Sequence, residues 1–205
     1  MANRRVLGIY RLCFAFLTLS ALVIQFSNDS QAANFRPIFF FSFFTIESNC
    51  LAAVVFLITG IAALQGQPQE RFTLLRGAVT LYMTTTGLIF FLLLRDMAEA
   101  LGMTIPWINI VLHYVMPVAV LLDWLLAPPH KPLGFGRAWL WLLFPAAYVM
   151  YTLIRGSMIN WYPYPFLNPA GQGYAGVAIN CLVIGLGLAV LTLLLSMRTG
   201  FNPKR

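Results

Sequence analysis

Residues 174–197 read YAGVAINCLVIGLGLAVLTLLLSM, an apolar stretch that contains no charged side chain. A helix needs about 20 consecutive apolar residues to cross the hydrocarbon core of a bilayer, so this stretch is long enough to span a membrane. Five further apolar runs precede it. The six predicted spans lie near residues 10–26, 37–64, 72–94, 106–127, 138–154 and 174–197.

The composition extends this conclusion to the whole chain. Of the 205 residues, 60% are hydrophobic and 9% are charged, whereas a soluble domain carries about 25% charged residues. Lipid admits only helices or closed barrels, and barrel strands would alternate in polarity over segments of about 10 residues. The continuous runs therefore predict an all-α integral membrane bundle of six helices, forming one domain over residues 1–205.

The distribution of Lys and Arg predicts the orientation of the bundle. Ten of the 13 basic residues lie in the N-terminal segment, the second and fourth connectors, the C-terminal tail or the span ends that adjoin them. Because basic residues are enriched on the cytoplasmic side, both termini are expected in the cytosol. This placement also argues against nucleic-acid binding, despite the net charge of +7. The first run is long for a signal peptide and is interpreted as a span.

Two polar side chains on different predicted spans lie at a similar depth. Thr45 follows Pro37, the start of the second run, and His113 follows Pro106, the start of the fourth. At about 1.5 Å of rise per residue, both lie roughly 10–12 Å below the same membrane face. A neutral histidine is the usual base that activates a hydroxyl nucleophile. The two residues are therefore a candidate catalytic pair, with hydrogen bonding between helices as the alternative role.

Other polar residues near this pair are candidate supporting groups. Ser48 and Asn49 share a helix face with the threonine and are candidate donors to a developing oxyanion. Asn109, one turn before the histidine, is a candidate for orienting the imidazole. Asn180 on the sixth run is expected at a similar depth, about 9 Å below the membrane face.

Two acidic residues fall inside predicted spans. Asp123 lies near the cytosolic end of the fourth run, and Arg76 is expected at a comparable depth in the third, so a structural ion pair is predicted. Glu47 is predicted near the membrane midplane, as a neutral acid, a partner for another span or a proton-relay group. One intramembrane histidine and distant acids do not provide three ligands for a catalytic metal, so no metal or other cofactor is predicted.

Three segments carry a resemblance to a known family. They are FFTIESN at residues 43–49, LHYVMP at 112–117 followed by Asp123-Trp124, and YPYPFLNP at 162–169. The chain resembles the androgen-induced and androgen-dependent family of multi-pass membrane threonine hydrolases, and most of all its small bacterial six-span relatives. The resemblance implies hydrolysis of fatty-acid esters of hydroxy fatty acids, with Thr45 and His113 in the catalytic roles. It also implies a bacterial inner membrane as the location.

These observations predict an intramembrane hydrolase of lipid acyl esters whose partners are membrane lipids. The acyl tails are expected among the second, fourth and sixth spans, beneath an aromatic, proline-rich segment at the outer face that serves as a partial lid. The predicted lid residues are Trp161, Tyr162, Tyr164 and Phe166. Two alternatives remain: a proton-coupled small transporter that uses Glu47, Asp123 and His113, and a non-catalytic lipid-binding or scaffold protein. No internal repeat or pair of broken spans favours the transporter.

Overall fold

The computed structural model describes residues 3–96 and 105–200, and over these ranges the chain is helical without a β-strand. Six helices in these ranges are long and apolar enough to cross a membrane. The predicted all-α, multi-pass membrane class is therefore confirmed. The helices are α1 (Arg4–Asp29), α2 (Phe44–Leu64), α3 (Gln69–Leu94), α4 (Pro106–Leu126), α5 (Gly136–Ile159) and α6 (Gly173–Met197).

The core of the bundle lies where the first four helices meet. Helices α1 and α2 pack along most of their length, and glycines let them approach closely. A Cβ at Gly8 would lie 2.7 Å from the Leu64 side chain, and one at Gly60 would lie 3.0 Å from Leu12. Beside this contact, α2, α3 and α4 contribute buried apolar side chains that include Phe56. These four helices form the framework on which the candidate site is built.

The two ends of the bundle differ in structure. The terminal end holds the start of α1, and the connector end holds the start of α2 and residues 160–172, which join α5 to α6. Asn160 ends α5 in the left-handed conformation, with φ of 52°. Tyr164 and Leu167 are buried against the helices. The connector is therefore a packed part of the bundle.

The second predicted run does not form one continuous helix. A short helix covers Pro37–Phe40, and α2 begins only at Phe44. The break lies at Ser42, whose carbonyl accepts a hydrogen bond from the Tyr148 hydroxyl (2.8 Å) and whose hydroxyl accepts one from Arg155 (2.7 Å). The Ser42 carbonyl is thus bonded to a side chain of α5 in place of a helical N–H group. The prediction of a span that starts at residue 37 was therefore wrong by about two helical turns.

The first and fifth helices are longer than predicted. Helix α1 begins at Arg4 because the Asn3 side chain accepts a hydrogen bond from the Arg5 amide at 2.9 Å and caps the helix. Helix α5 continues to Ile159, past Arg155. The Arg155 guanidinium lies over the Phe39 ring at 5.1 Å, so the charge does not interrupt the helix.

Helices α5 and α6 form the less buried side of the bundle. Helix α6 packs mainly against α3, the connector and the first turns of α5, and makes little contact with the rest of α5. Large apolar side chains on both helices stay exposed, among them Met150, Ile154, Leu182 and Leu186. In a multi-pass membrane protein such a surface is suited to contact lipid.

A buried cluster of charges joins four helices at the terminal end. The predicted contact between Arg76 and Asp123 is present at 2.8 Å, and Arg11 contacts the same carboxylate at 2.7 Å. Arg11 also donates to the Thr59 carbonyl and to the Gln69 side chain. Arg11 was predicted only as a charge at a span end, whereas its side chain is 0% exposed. Two arginines that share one carboxylate leave net positive charge inside the bundle.

Candidate functional site

Thr45 lies at the connector end, as the second residue of α2. The first amide groups of a helix have no helical acceptor, and the helix dipole favours negative charge at this end. The Thr45 Oγ1 atom lies 3.2 Å from Nε2 of His113 on α4. The structure therefore places the two predicted site residues within hydrogen-bond distance.

A π-helical turn over Val111–Val115 positions His113. Such wide turns are rare and are frequent at functional sites. The His113 Nδ1 atom lies 3.2 Å from the Asn109 carbonyl oxygen. A carbonyl only accepts, so Nδ1 carries the imidazole hydrogen and Nε2 presents its lone pair to the Thr45 hydroxyl. This is the tautomer that a general base requires, and Asn109 orients the ring through its main chain.

Pro117 explains why α4 carries a wide turn at this position. Proline has no N–H group, so it cannot close a hydrogen bond within the helix. In the π-helical register its partner would be the Leu112 carbonyl, which instead accepts a bond from Nδ2 of Asn49 at 3.2 Å. The same Nδ2 donates to the Thr45 carbonyl at 2.8 Å. Asn49 therefore ties the segment that carries the hydroxyl to the segment that carries the imidazole.

The predicted oxyanion donors are engaged elsewhere. The Asn49 amide is directed at the two main-chain carbonyls of Thr45 and Leu112. The Ser48 hydroxyl donates to the Thr45 carbonyl at 3.2 Å and pairs with the Thr86 hydroxyl of α3 at 2.9 Å. Both side chains hold helices together. The hypothesis that they stabilise an oxyanion does not fit this arrangement.

A second π-helical turn, Phe90–Leu94, ends α3 beside the histidine. Phe90 stacks on the His113 imidazole, with 3.8 Å between ring centroids and 22° between the ring planes. Phe90 could not be predicted as a site residue, because one phenylalanine in an apolar run carries no signal. Thr86 was not predicted either, although three consecutive threonines at residues 84–86 are a polar signal in an apolar span.

No hydrogen bond of the described residues joins Glu47 or Asn180 to the Thr45–His113 pair. Glu47 lies in the first turn of α2, which starts at Phe44. It is half-buried, and among the described residues its Oε2 atom has no hydrogen-bond partner. Asn180 donates to the Phe166 carbonyl at 3.1 Å and to the Gln172 side chain at 2.8 Å. Asn180 therefore holds the connector and does not contact the Thr45–His113 pair.

Two of the predicted lid residues brace the connector against neighbouring helices. Trp161 packs on Phe39, with 4.6 Å between ring centroids, and lies 5.5 Å from the Arg155 guanidinium. Tyr162 covers Gly156 of α5 so closely that a Cβ at this glycine would overlap the tyrosine ring. The glycine thus permits the connector to fold back onto α5.

The other two predicted lid residues pack on each other. Tyr164 and Phe166 stack with their ring centroids 5.1 Å apart. Tyr164 is buried, and its hydroxyl oxygen lies 3.4 Å from the Thr45 amide nitrogen, which donates to it. Tyr164 is therefore a component of the site and not only a cover over it.

An apolar cavity of about 310 Å³ opens beside Thr45. A cavity of this size is within the range of small-molecule sites. Its walls come from α2, α3, α5, α6 and the connector, and within the described part of the chain no α4 residue lines it. Of the three spans predicted to hold acyl tails, α2 and α6 line this cavity and the described residues of α4 do not. The lining includes Phe44, Thr45, Thr86, Ile89, Tyr148, Tyr164 and Leu188.

Comparisons with protein-family models, curated proteins and solved structures find no match to this chain. Within residues 3–96 and 105–200, no cluster of three or more His, Cys, Asp or Glu side chains could hold a metal ion. The site consists of a hydroxyl at a helix N-terminus, an imidazole oriented to accept its proton, and an adjoining apolar cavity. A hydroxyl beside a base and a cavity for a substrate are two of the elements found at acyl-transfer sites.

Proposed function

We propose that this protein hydrolyses lipid acyl esters within the membrane, with Thr45 as nucleophile and His113 as general base. The observation that carries the proposal is the 3.2 Å contact between Thr45 Oγ1 and His113 Nε2 beside an apolar cavity. A hydroxyl is a weak nucleophile until a base takes its proton. An internal threonine has no α-amino group to act as that base, so the histidine is essential.

The reaction proceeds in two transfers. Thr45 Oγ attacks the ester carbonyl carbon while His113 Nε2 takes the hydroxyl proton, giving a tetrahedral oxyanion. The C–O bond to the leaving alcohol then breaks, and His113 returns the proton to that alcohol. Water then attacks the acyl-threonine carbonyl while His113 Nε2 takes a proton from it. When the second tetrahedral intermediate collapses, the bond from carbon to Thr45 Oγ breaks, His113 gives its proton to Thr45 Oγ, and a fatty acid is released. No redox step or cofactor is needed.

The cavity favours a substrate with a long apolar chain. Its lining is almost entirely apolar apart from threonine and tyrosine hydroxyls and Cys181, so a charged group would lose hydration there without a counter-ion. Helices α5 and α6 both line the cavity and contact each other little beyond the first turns of α5, so we propose that the substrate enters from lipid between them. We therefore place the acyl tail in the cavity, with its carbonyl at Thr45.

The resemblance to the androgen-induced and androgen-dependent family of membrane threonine hydrolases is part of the same proposal. Its small bacterial six-span branch implies fatty-acid esters of hydroxy fatty acids as substrates and a bacterial inner membrane as the location. The charge distribution adds the orientation, with both termini in the cytosol and Thr45 toward the outer leaflet.

An esterase assay tests the proposal. Detergent-purified protein is expected to hydrolyse p-nitrophenyl esters of fatty acids, and Thr45→Ala and His113→Ala are each expected to lower kcat about 10³-fold or more. Matched controls are Thr80→Ala, which removes a buried hydroxyl bonded to the Arg76 carbonyl, and His130→Ala, which removes an exposed imidazole. Both controls should retain activity.

The same assay separates the alternatives. Wild-type protein that cleaves no acyl ester, but binds fatty acids in the cavity, would support the non-catalytic lipid-binding role. Proton-coupled uptake into proteoliposomes without hydrolysis would support the transporter. The Asp123 carboxylate is less suited to proton relay because two arginines hold it at the terminal end, away from His113.

A further inference from the structure

The proposed reaction creates an oxyanion that needs a hydrogen-bond donor. Preorganised donors at this position commonly contribute about 10²–10³ in kcat. The Ser48 and Asn49 side chains already donate to the Thr45 carbonyl. The main-chain amides of Phe44 and Thr45 at the start of α2 bond to the Tyr164 hydroxyl. The hydroxyls of the cavity lining are therefore the remaining candidates for an oxyanion donor.

The bonding of the lining hydroxyls distinguishes one of them. The Thr85 hydroxyl donates to the Leu81 carbonyl, and the Tyr148 hydroxyl donates to the Ser42 carbonyl. Because Ser48 gives its proton to the Thr45 carbonyl, the paired Thr86 hydroxyl donates to Ser48. Each of these hydroxyl protons already has an acceptor.

The Tyr164 hydroxyl differs because it accepts a main-chain hydrogen bond. Its oxygen accepts the Thr45 N–H at 3.4 Å, and a phenol that accepts one bond keeps its own hydrogen for another. The same hydroxyl is also within hydrogen-bond reach of the Thr45 and Tyr148 side chains. Thr45 and Tyr164 both line the cavity, so the Tyr164 hydroxyl lies beside the oxygen that attacks the ester.

The position of Tyr164 is fixed by its surroundings. Its ring stacks on Phe166 with 6° between the planes and meets Phe43 edge-on at 5.8 Å. Asn180 bonds the Phe166 carbonyl and so holds this part of the connector to α6. Burial raises the pKa of the Tyr164 phenol, which keeps the group protonated. A donor held in this way loses little freedom when the transition state forms.

We propose that Tyr164 is a catalytic residue that donates a hydrogen bond to the tetrahedral oxyanion formed when Thr45 attacks the ester. The inference rests on the proposed hydrolase function. When Thr45 Oγ1 attacks the ester carbonyl carbon, the negative charge forms on the ester carbonyl oxygen, near the N-terminal end of α2, where the helix dipole also favours it. The connector thereby completes the site.

The test is Tyr164→Phe, which keeps the ring and removes the donor. We expect kcat for a p-nitrophenyl ester to fall about 10²–10³-fold with little change in KM. The matched control is Tyr151→Phe, which removes a hydroxyl on the exposed face of α5 and should retain full activity. Active wild type with an equally active Tyr164→Phe overturns this inference alone, whereas wild type that hydrolyses no ester overturns the proposed function as well.

A pair of inhibitors separates oxyanion stabilisation from support of the fold. An alkyl trifluoromethyl ketone forms a tetrahedral adduct with Thr45, whereas an alkyl ether of the same length mimics only the bound substrate. Tyr164→Phe should weaken ketone binding about 10²–10³-fold, in parallel with kcat, and leave ether binding nearly unchanged. Equal losses for both inhibitors would show that Tyr164 only shapes the cavity and would overturn the inference.

Discussion

Phe90 stacks on the His113 imidazole with 3.8 Å between their ring centroids. The two rings come from the only two π-helical turns in the described ranges, one at the end of α3 and one within α4. The stacking fixes the plane of the imidazole, and the Asn109 carbonyl fixes its rotation within that plane. Three contacts thus define the direction in which Nε2 points, the third being Thr45 itself.

The first prediction concerns this stacking. Phe90→Leu keeps an apolar side chain but frees the imidazole to tilt, so kcat should fall about 10- to 100-fold. Phe91→Leu, at an exposed neighbouring position, is the control and should retain activity. Rates are compared per folded protein, with thermal unfolding as the check on folding. Unchanged kcat for Phe90→Leu would mean that the stacking does not orient the base.

The second prediction concerns the dependence of Thr45 and His113 on each other. If they act as a unit, Thr45→Ala combined with His113→Ala should be no slower than either single variant. Thr45→Ser keeps the nucleophilic oxygen and should retain part of the activity. If the rate losses of the two single variants multiply in the double variant, the two residues do not share a proton-transfer step.

The third prediction ranks substitutions in the buried charge cluster. Asp123→Asn leaves two buried arginines without a counter-ion and should cost about 3–5 kcal/mol in the free energy of unfolding. Arg76→Gln and Arg11→Gln each leave a one-to-one ion pair and should cost less. Thermal unfolding in detergent measures the order. An Asp123→Asn variant as stable as the wild type would contradict the role of the carboxylate.

The fourth prediction concerns the contact between α3 and α5. A Cβ at Gly77 would overlap the Trp141 ring, whose Nε1 is held by the Leu74 carbonyl at 2.9 Å. Gly77→Ala should therefore destabilise the protein by about 1–3 kcal/mol, although alanine is the better helix former. Gly187→Ala on α6 meets no atom within 4 Å and is the control, expected to be neutral or stabilising.

The fifth prediction concerns orientation. A reporter fused after Arg205 should lie in the cytosol, and one inserted near Asn168 should lie on the opposite side, because basic residues concentrate on the cytoplasmic side. Alkaline phosphatase and green fluorescent protein fusions at both positions provide complementary signals. The reverse pattern at both positions would place the Thr45 site toward the inner leaflet.

The length of the apolar runs made the six helices predictable, but the ends of the helices were not. Hydrogen bonds from Tyr148 and Arg155 of α5 to Ser42 accompany the break in the second run. No local sequence pattern at residues 41–43 predicts these bonds. The close approach of Thr45 to His113 was predicted from equal depth counted from residue 37. The structure shows this contact, although the helix is interrupted between Phe40 and Phe44, so that a constant rise per residue does not apply from residue 37 to Thr45.

The details of the candidate site were less predictable because they depend on the directions of hydrogen bonds. Asn49 was expected to donate a hydrogen bond to an oxyanion. Because Pro117 has no N–H group, the Leu112 carbonyl lacks a helical donor, and Asn49 donates to that carbonyl. A proline four residues after a histidine in an apolar run is a signal for such a turn. Arg11 was placed at a span end by its sequence position, and only the fold reveals that it shares the Asp123 carboxylate.

The shared carboxylate has a consequence for biogenesis. Arg11 and Asp123 are separated by 112 residues, so α1 leaves the ribosome with a guanidinium whose counter-ion has not yet been synthesised. On translocon insertion scales a charged side chain costs about 2.5–3.5 kcal/mol at the centre of a bilayer. The cost is lower for Arg11, because it lies toward the terminal end and a long arginine side chain can reach water. We expect α1 to remain beside the translocon until α4 emerges with Asp123, so that ion pairing, rather than hydrophobicity alone, commits the first four helices to assemble.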